Sequence, residues 1–235
     1  MKSALVFWGG WEGHEPEKVA LRFAGMLDEA GYAVEVYNGK DCLANGEKLK
    51  GYDLIVPSWT MGTIDGQLVK NVSEAVAAGT GLAGCHGGMC DAFRESTDWQ
   101  FMTGSQWVAH PGGGGVTYTV NVRKGSSPIV EGIEDFTVTS EQYYLHVDPA
   151  VEVLAATRFP SVAANKPVDM PVAYTKFWGL GRVFYLSLGH HADVFDIPEA
   201  GLLMRRGLIW AAEGKAYAET HKPSADGFLS GEKPI

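Results

Sequence analysis

A histidine flanked by glycines stands at the sharpest predicted turn of the sequence. The run Gly84-Cys85-His86-Gly87-Gly88 follows a short apolar segment and places a glycine two residues before and two residues after the histidine. This spacing is typical of a strand-to-helix elbow, which presents a reactive side chain at its tip. Glycines suit such an elbow because its backbone segments approach closely. An imidazole at the centre favours proton transfer or metal binding over acyl transfer.

Most of the other histidines stand just after a predicted strand. In an open parallel sheet, ligands bind beyond the carboxyl ends of the strands, so such residues converge on one site. The histidines of this kind are His14, His86, His146, His190 and His191, and His110 stands beside a run of four glycines. Because successive side chains of an extended chain point in opposite directions, we expect His190 rather than His191 to face the site.

Two kinds of chemistry fit these residues. In the first, His86 and His190 act as general acid and base, and Glu141, after the predicted strand Phe136–Thr139, orients them or shares the proton transfer. In the second, a divalent metal such as zinc binds among His14, His86, His190 and Glu141, with one position open for substrate. The side chains expected to contact substrate are Trp11, His14, Trp59, His110 and Tyr143.

Alternating strands and helices indicate the fold that positions these residues. Apolar runs predict strands at Ser3–Trp8, Ala33–Tyr37, Tyr52–Pro57 and Thr80–Cys85. Helical periodicity predicts one helix from Pro16 and another at Gln67–Ala78. This order predicts an α/β fold with a doubly wound, mainly parallel sheet.

The second half of the chain predicts additional antiparallel strands. They are expected at Val116–Val122, Phe136–Thr139 and Val151–Thr157, and in a hairpin that joins Pro171–Lys176 to Arg182–Leu188. Gly112–Gly115 is expected to be a flexible run without structure of its own. We predict a single domain over residues 1–213, followed by a polar extension over 214–235 that wraps the surface or is loosely ordered.

Composition narrows the class of protein. The 235 residues are 46% hydrophobic and 20% charged, which suits a globular protein with a sizeable core. The net charge of −9 and the absence of a Lys/Arg cluster argue against nucleic acid or a membrane as partner. Three cysteines without framework spacing favour a reducing compartment, so we expect a cytoplasmic protein. Without G-x-G-x-x-G or G-x-x-x-x-G-K-[ST] motifs, no nucleotide cofactor is expected.

Several motifs, taken in order, resemble the trehalose-utilisation (ThuA-like) family. The resemblance runs from the first strand to about Glu213, and it implies the flavodoxin-like fold of class I glutamine amidotransferases and a role in the catabolism of trehalose, related disaccharides or keto-sugars. The motifs that carry it are Trp59-Thr60-Met61-Gly62, Gly81–Gly88, Ser140-Glu141-Gln142-Tyr143, Gly179–Tyr185 and Leu188-Gly189-His190.

The resemblance also implies which activity has been lost. Amidotransferases of this fold use a cysteine at the elbow and a histidine after a late strand. His190 matches that late histidine, but His86 stands where the cysteine would be. An imidazole cannot form the thioester of glutamine hydrolysis, so the resemblance implies a retained pocket without glutaminase activity.

Three functions are compatible with the sequence. The first, which we favour, is an isomerase, lyase or hydrolase that acts on a disaccharide or keto-sugar. The second is a non-catalytic sugar-binding or regulatory module that kept the pocket. The third is a hydrolase with Cys85 as nucleophile and His190 as base, disfavoured because residue 83 is not glycine. A small-molecule carbohydrate is the expected partner, and a homo-oligomer is compatible with the acidic chain.

Overall fold

The computed structural model describes residues 2–161, 165–225 and 228. Its helices are α1 (Pro16–Asp28), α2 (Gly46–Gly51), α3 (Gly66–Ala77), α4 (His86–Cys90), α5 (Thr97–Thr103), α6 (Pro198–Ala212) and α7 (Gly214–His221). Its strands are β1 (Ser3–Gly10), β2 (Ala33–Asn38), β3 (Leu54–Thr60), β4 (Gly81–Cys85), β5 (Ser105–Ala109), β6 (Val116–Val122), β7 (Phe136–Ser140), β8 (Tyr144–Val147), β9 (Glu152–Phe159), β10 (Val168–Trp178) and β11 (Gly181–Leu186). No helix in these ranges has the length and apolar character needed to cross a bilayer.

Nine of the described strands form one mixed sheet, in the order β2-β1-β3-β4-β11-β10-β9-β6-β7. The first five strands of that order run parallel to one another. From β11 onward, each pair of neighbours is antiparallel. The predicted α/β fold with a parallel sheet and added antiparallel strands is therefore confirmed.

Helices cover both faces of the parallel half, and this explains its continuous apolar strands. In β1, Val6 belongs to the core layer that contains Phe23 of α1. Its neighbour Phe7 belongs to the opposite layer, with Val72 of α3. A strand buried on both faces needs apolar side chains at successive positions. The carboxyl ends of β1, β3, β4 and β11 consequently reach the same edge of a rigid sheet.

Two segments have regular structure where the sequence predicts a flexible run or a polar extension. The glycine run has structure of its own, because Gly113–Gly115 forms a short 3-10 turn. At the start of this turn, the Gly113 N–H donates a hydrogen bond to the carbonyl of His110. The extension after residue 213 begins as helix α7, and Lys215 Nζ of this helix donates to the carbonyl of Lys50. Of the two predicted alternatives, this part of the extension therefore fits a segment that wraps the surface and not a loosely ordered one. Residues 226, 227 and 229–235 of the extension lie outside the described residues.

Candidate active site

The predicted elbow is present, and its centre is His86. Strand β4 ends at Cys85, and α4 begins at His86, whose φ of 47° lies in the left-handed region that non-glycine residues rarely adopt. A Cβ on Gly87 would lie 2.7 Å from His14 Nδ1, so the glycine after the elbow lets the two histidines approach. A Cβ on Gly189 would lie 2.7 Å from Cys85 Sγ, so that glycine lets the turn after β11 lie against the elbow.

The His86 ring is fixed by three contacts. Its Nδ1 lies 2.7 Å from the carbonyl oxygen of Ser187, which can only accept, so Nδ1 is the donor and carries the proton. The ring stacks on Tyr143 with centroids 3.8 Å apart. Its Nε2 lies 3.1 Å from Glu141 Oε2. In the neutral imidazole, this Nε2 therefore points a lone pair at a carboxylate oxygen.

Two further histidine nitrogens face the same oxygen of Glu141. His190 Nδ1 lies 3.4 Å and His14 Nε2 lies 3.7 Å from Glu141 Oε2. One nitrogen or oxygen atom from each of His14, His86, Glu141 and His190 lies within 4.8 Å of the others, a grouping that suits a metal ion. The three histidines follow β1, β4 and β11, whereas Glu141 follows β7 in the antiparallel half.

Neighbouring groups hold this cluster in place. His14 Nδ1 lies 2.9 Å from Thr60 Oγ1, which leaves Nε2 facing Glu141. The Tyr118 hydroxyl donates to the backbone carbonyl of Glu141 over 3.0 Å. The Tyr185 hydroxyl donates to the carbonyl of His86 over 3.2 Å. Such partners fix the orientation of metal-binding or catalytic side chains.

Burial sets the protonation of the cluster. It lowers the pKa of His86 to about 4, and it also lowers the pKa of His190. Burial alone would raise the pKa of Glu141, but the surrounding imidazoles of His14, His86 and His190 favour the ionised carboxylate and hold this pKa well below its usual range. At neutral pH the site therefore combines an anionic carboxylate with neutral His86 and His190, a set of electron-pair donors suited to a cation.

The structure places the other predicted site residues at different distances from the cluster. Trp11 is 46% exposed, and its ring lies edge-on to His14 with centroids 4.7 Å apart. His110 Nδ1 lies 3.4 Å from Glu141 Oε1. The other carboxylate oxygen, Oε2, is the one that the cluster histidines face. Trp59 makes its aromatic and cation contacts with Phe93 and Lys40, within the described residues. His146, another histidine of the sequence pattern, is exposed on β8.

Sequence reasoning missed several residues that support the site. Neither Thr60 nor Ser187 is a predicted site residue, although Thr60 directly follows Trp59 and Ser187 comes directly after β11, three residues before His190. Trp107, whose ring lies 5.5 Å from that of His110, gave no signal because aromatic residues are usually part of the core. Cys85 is buried, and burial raises the pKa of its thiol, so this residue is poorly suited to act as a nucleophile.

Comparison with known proteins identifies the family. The sequence model of one family, described as trehalose utilisation, matches residues 3–211. The chain belongs to this ThuA family. The resemblance found in the sequence motifs is therefore confirmed. A search of curated proteins gives no match to this ThuA-family chain.

Solved structures show the same fold at low sequence identity. A ThuA-like protein from Bacteroides uniformis is 19% identical, with a TM-score of 0.72 over 89% of this chain and 91% of its own. A second, from Parabacteroides merdae, is 17% identical, with a TM-score of 0.71 over 92% of this chain and 91% of its own. A β-galactosidase from Bacillus circulans is 13% identical and matches 95% of this chain with 32% of its own, at a TM-score of 0.58. At these identities the matches show the fold alone.

Proposed function

We propose that this ThuA-family chain binds one divalent cation, with zinc the best match, through His14, His86, Glu141 and His190, and that it uses this centre to act on a small carbohydrate. The activity proposed is an isomerisation, elimination or hydrolysis of a sugar or keto-sugar. Acyl transfer from glutamine is not proposed, because an imidazole rather than a thiol occupies the elbow.

The observation that carries the metal proposal is the orientation of His86. Its Nδ1–H is committed to the Ser187 carbonyl, and burial keeps the ring neutral at pH 7. A lone pair on Nε2 then faces an anionic oxygen at 3.1 Å, which is repulsive unless a positive charge lies between them. A shared proton or a metal ion can supply this charge.

The geometry of the donor atoms favours the metal ion. Two ligands that bind one zinc tetrahedrally at its usual bond lengths lie about 3.3 Å apart. The separations of 3.1, 3.4 and 3.7 Å between Glu141 Oε2 and the histidine nitrogens bracket that value. The proposed ligands are three histidine nitrogens and one carboxylate oxygen. In His14 and His86, the ring nitrogen that would not bind the metal is hydrogen-bonded to Thr60 Oγ1 and to the Ser187 carbonyl, respectively. Histidine ligands of metal centres usually have such a hydrogen-bond partner.

The chain's own residues would position substrate and move protons around this centre. A divalent cation would supply Lewis-acid polarisation of a substrate carbonyl or hydroxyl oxygen. The side chain of His110 is 36% exposed and its Nδ1 lies 3.4 Å from Glu141 Oε1, so His110 can accept or return a substrate proton beside the centre. The elbow and the Tyr143 ring exclude water from the opposite side, since His86 is only 1% exposed.

A carbohydrate substrate is supported by the family and by the polar surroundings. The family is described as trehalose utilisation, and a polar cleft adjoins His190. One observation favours a non-catalytic sugar-binding module instead: His14 and Glu141 are also nearly inaccessible, at 7% and 6% exposure. The two functions differ in whether product forms.

Metal analysis and product detection test this proposal together. The purified chain, the His86→Gln variant and a His146→Gln control with an exposed histidine are analysed for metal by mass spectrometry. They are then incubated with trehalose, sucrose and their 3-keto derivatives and followed by NMR. We expect about one equivalent of metal and product formation in the wild type and the control, with both lost in His86→Gln. Sugar-induced thermal stabilisation without product favours the binding module, and metal content unchanged by His86→Gln contradicts the metal centre.

A further inference from the structure

A polar cleft reaches the cluster from the antiparallel half of the molecule. Its volume is about 430 Å³, and it lies between β7 and the turn that follows His190. Its polar lining comes from side chains that carry hydroxyl, imidazole or carboxylate groups: Thr137, Thr139, Ser140, His190, His191 and Asp193. The cleft touches the cluster through His190, the most exposed of the three cluster histidines.

His190 connects the cluster with the cleft through its two ring nitrogens. Nδ1 faces Glu141 Oε2 and has no hydrogen-bond partner within the described residues. Nε2 lies on the side of Gly114, which lines the cleft. When Nδ1 acts as an electron-pair donor to the centre, the neutral ring keeps its hydrogen on Nε2. A ligand in the cleft then meets an N–H donor directly attached to the cluster.

Gly114 keeps the approach to this donor open. A Cβ at residue 114 would lie 3.1 Å from His190 Nε2, which is a tight steric contact with this ring nitrogen. Gly114 does not have the positive φ that restricts a position to glycine. An alanine there would therefore crowd His190 Nε2 and hinder a ligand from reaching it, without straining the backbone.

The charges in and around the cleft select against anionic ligands. Among the described residues that line it, there is no lysine or arginine, and Asp193 contributes a carboxylate. The basic side chains of the adjoining cleft are already paired, Lys18 with Glu15 and Arg22 with Asp196. A phosphate or carboxylate group would find no free cation there, whereas neighbouring hydroxyl groups can donate to the two oxygens of Asp193.

We propose that this cleft is the substrate subsite, that it binds an uncharged polyhydroxylated segment, and that His190 Nε2–H donates to one of its oxygens while Asp193 accepts from adjacent hydroxyls. The inference rests on the proposed function, because it assigns the substrate contacts of the same centre. It also makes Asp193 a determinant of specificity for uncharged over phosphorylated sugars, and Gly114 a position whose small size keeps His190 Nε2 accessible.

Calorimetric titration of trehalose, trehalose 6-phosphate, sucrose and glucose into the full chain tests the subsite. The variants are Gly114→Ala and Asp193→Asn. The controls are Gly115→Ala, since a Cβ at Gly115 meets nothing within 4 Å, and Asp28→Asn, since the exposed Asp28 lies outside this cleft and the adjoining one. We expect trehalose to bind the wild type and both controls, at least about tenfold more weakly to each cleft variant, and trehalose 6-phosphate to bind more weakly than trehalose.

Metal content, measured on the same samples, separates the two proposals. Weaker trehalose binding by the cleft variants in a chain that holds no metal supports the subsite and contradicts the metal centre. Bound metal with equal trehalose binding by wild type and cleft variants supports the metal centre and overturns the subsite. Tighter binding of the phosphorylated sugar, or no binding of trehalose, sucrose or glucose by the wild type, also overturns the subsite.

Discussion

Two buried polar clusters in this molecule differ in whether their hydrogen bonds are complete. In one, Tyr174 donates to the carbonyl of Thr103 over 2.9 Å, and Ser105 Oγ lies 2.8 Å from the Tyr174 hydroxyl and 3.0 Å from Cys90 Sγ. In the cluster around Glu141, by contrast, His190 Nδ1, His110 Nδ1 and the Tyr143 hydroxyl are buried atoms without a hydrogen-bond partner in the described chain.

The difference separates a stabilising role from a functional one. Buried polar groups are normally satisfied, because an unpaired donor or acceptor costs about 1–3 kcal/mol. The Tyr174 cluster meets this requirement with protein atoms alone and fastens α5 and β5 to β10. The Glu141 cluster does not meet it with the described protein atoms alone and needs a further group, such as a water molecule, a proton, a cation or a ligand. We therefore assign stability to the first cluster and binding to the second, and four predictions test this division.

The largest expected effect is on metal affinity. Glu141→Gln keeps the shape of the side chain but removes the charge that three histidine nitrogens face. We expect zinc affinity, measured by competition with a chromophoric chelator, to fall more than about a hundredfold, because losing a ligand should exceed the 10–100-fold effect of losing a supporting group. The exposed Glu29→Gln is the control, and equal affinities for the two variants contradict the prediction.

The complementary change in the Tyr174 cluster should affect stability alone. Tyr174→Phe leaves the Thr103 carbonyl without its donor in a fully buried position. We expect the free energy of unfolding in urea to fall by about 1–3 kcal/mol, with zinc affinity unchanged. Tyr37→Phe, which removes an exposed hydroxyl, should change stability by less than about 0.5 kcal/mol. A loss of metal binding in Tyr174→Phe would show that the two clusters are not independent.

Acid should weaken the metal-free protein through His86. Its folded pKa of about 4 lies below the ordinary value of 6.5, so the unfolded chain binds the proton more readily. The contribution of neutral His86 to the free energy of unfolding is therefore complete above pH 6.5. It is lost as pH falls from 6.5 toward 4. By linkage, the loss between pH 7 and pH 5 is about 2 kcal/mol. We measure the free energy of unfolding in urea at pH 7 and at pH 5 for the wild type and for His86→Gln. The decrease between the two pH values should be smaller in His86→Gln by this amount, and equal decreases contradict the prediction.

The smallest effect should come from a supporting group. Thr60→Val keeps the volume of a buried side chain but removes the hydroxyl beside His14 Nδ1. We expect zinc affinity to fall about tenfold, the lower end of the range for lost supporting hydrogen bonds. Thr119→Val, an exposed change on β6, serves as control. Equal affinity in both variants shows that Thr60 does not orient His14.

The sequence predicted the parallel half of the molecule best. Buried parallel strands such as Leu54–Thr60 carry continuous apolar runs, and glycines mark the elbow at His86, so both the strands and the residues after them could be identified. His14, His86 and His190 follow from that rule, since parallel strands deliver their carboxyl ends to one edge.

The contacts that the antiparallel half makes with the site could not be predicted from local sequence. Glu141 was proposed because it follows a predicted strand, but its approach to three histidines depends on how β7 lies at the far end of the nine-strand order. The Ser187 carbonyl that sets the His86 tautomer is a backbone group with no sequence signal. The turn in the glycine run and the start of α7 depend on contacts within the folded chain. The periodicity of the local sequence does not reveal these contacts.

Crystallography at the zinc absorption edge tests the central claim most directly. With metal bound, an anomalous peak is expected about 2.0–2.2 Å from His14 Nε2, His86 Nε2, Glu141 Oε2 and His190 Nδ1. The His86 Nδ1 bond to the Ser187 carbonyl should be retained. Crystals grown with zinc that show no such peak, and in which His86 Nε2 remains hydrogen-bonded directly to Glu141, would contradict the metal centre and support a shared proton instead.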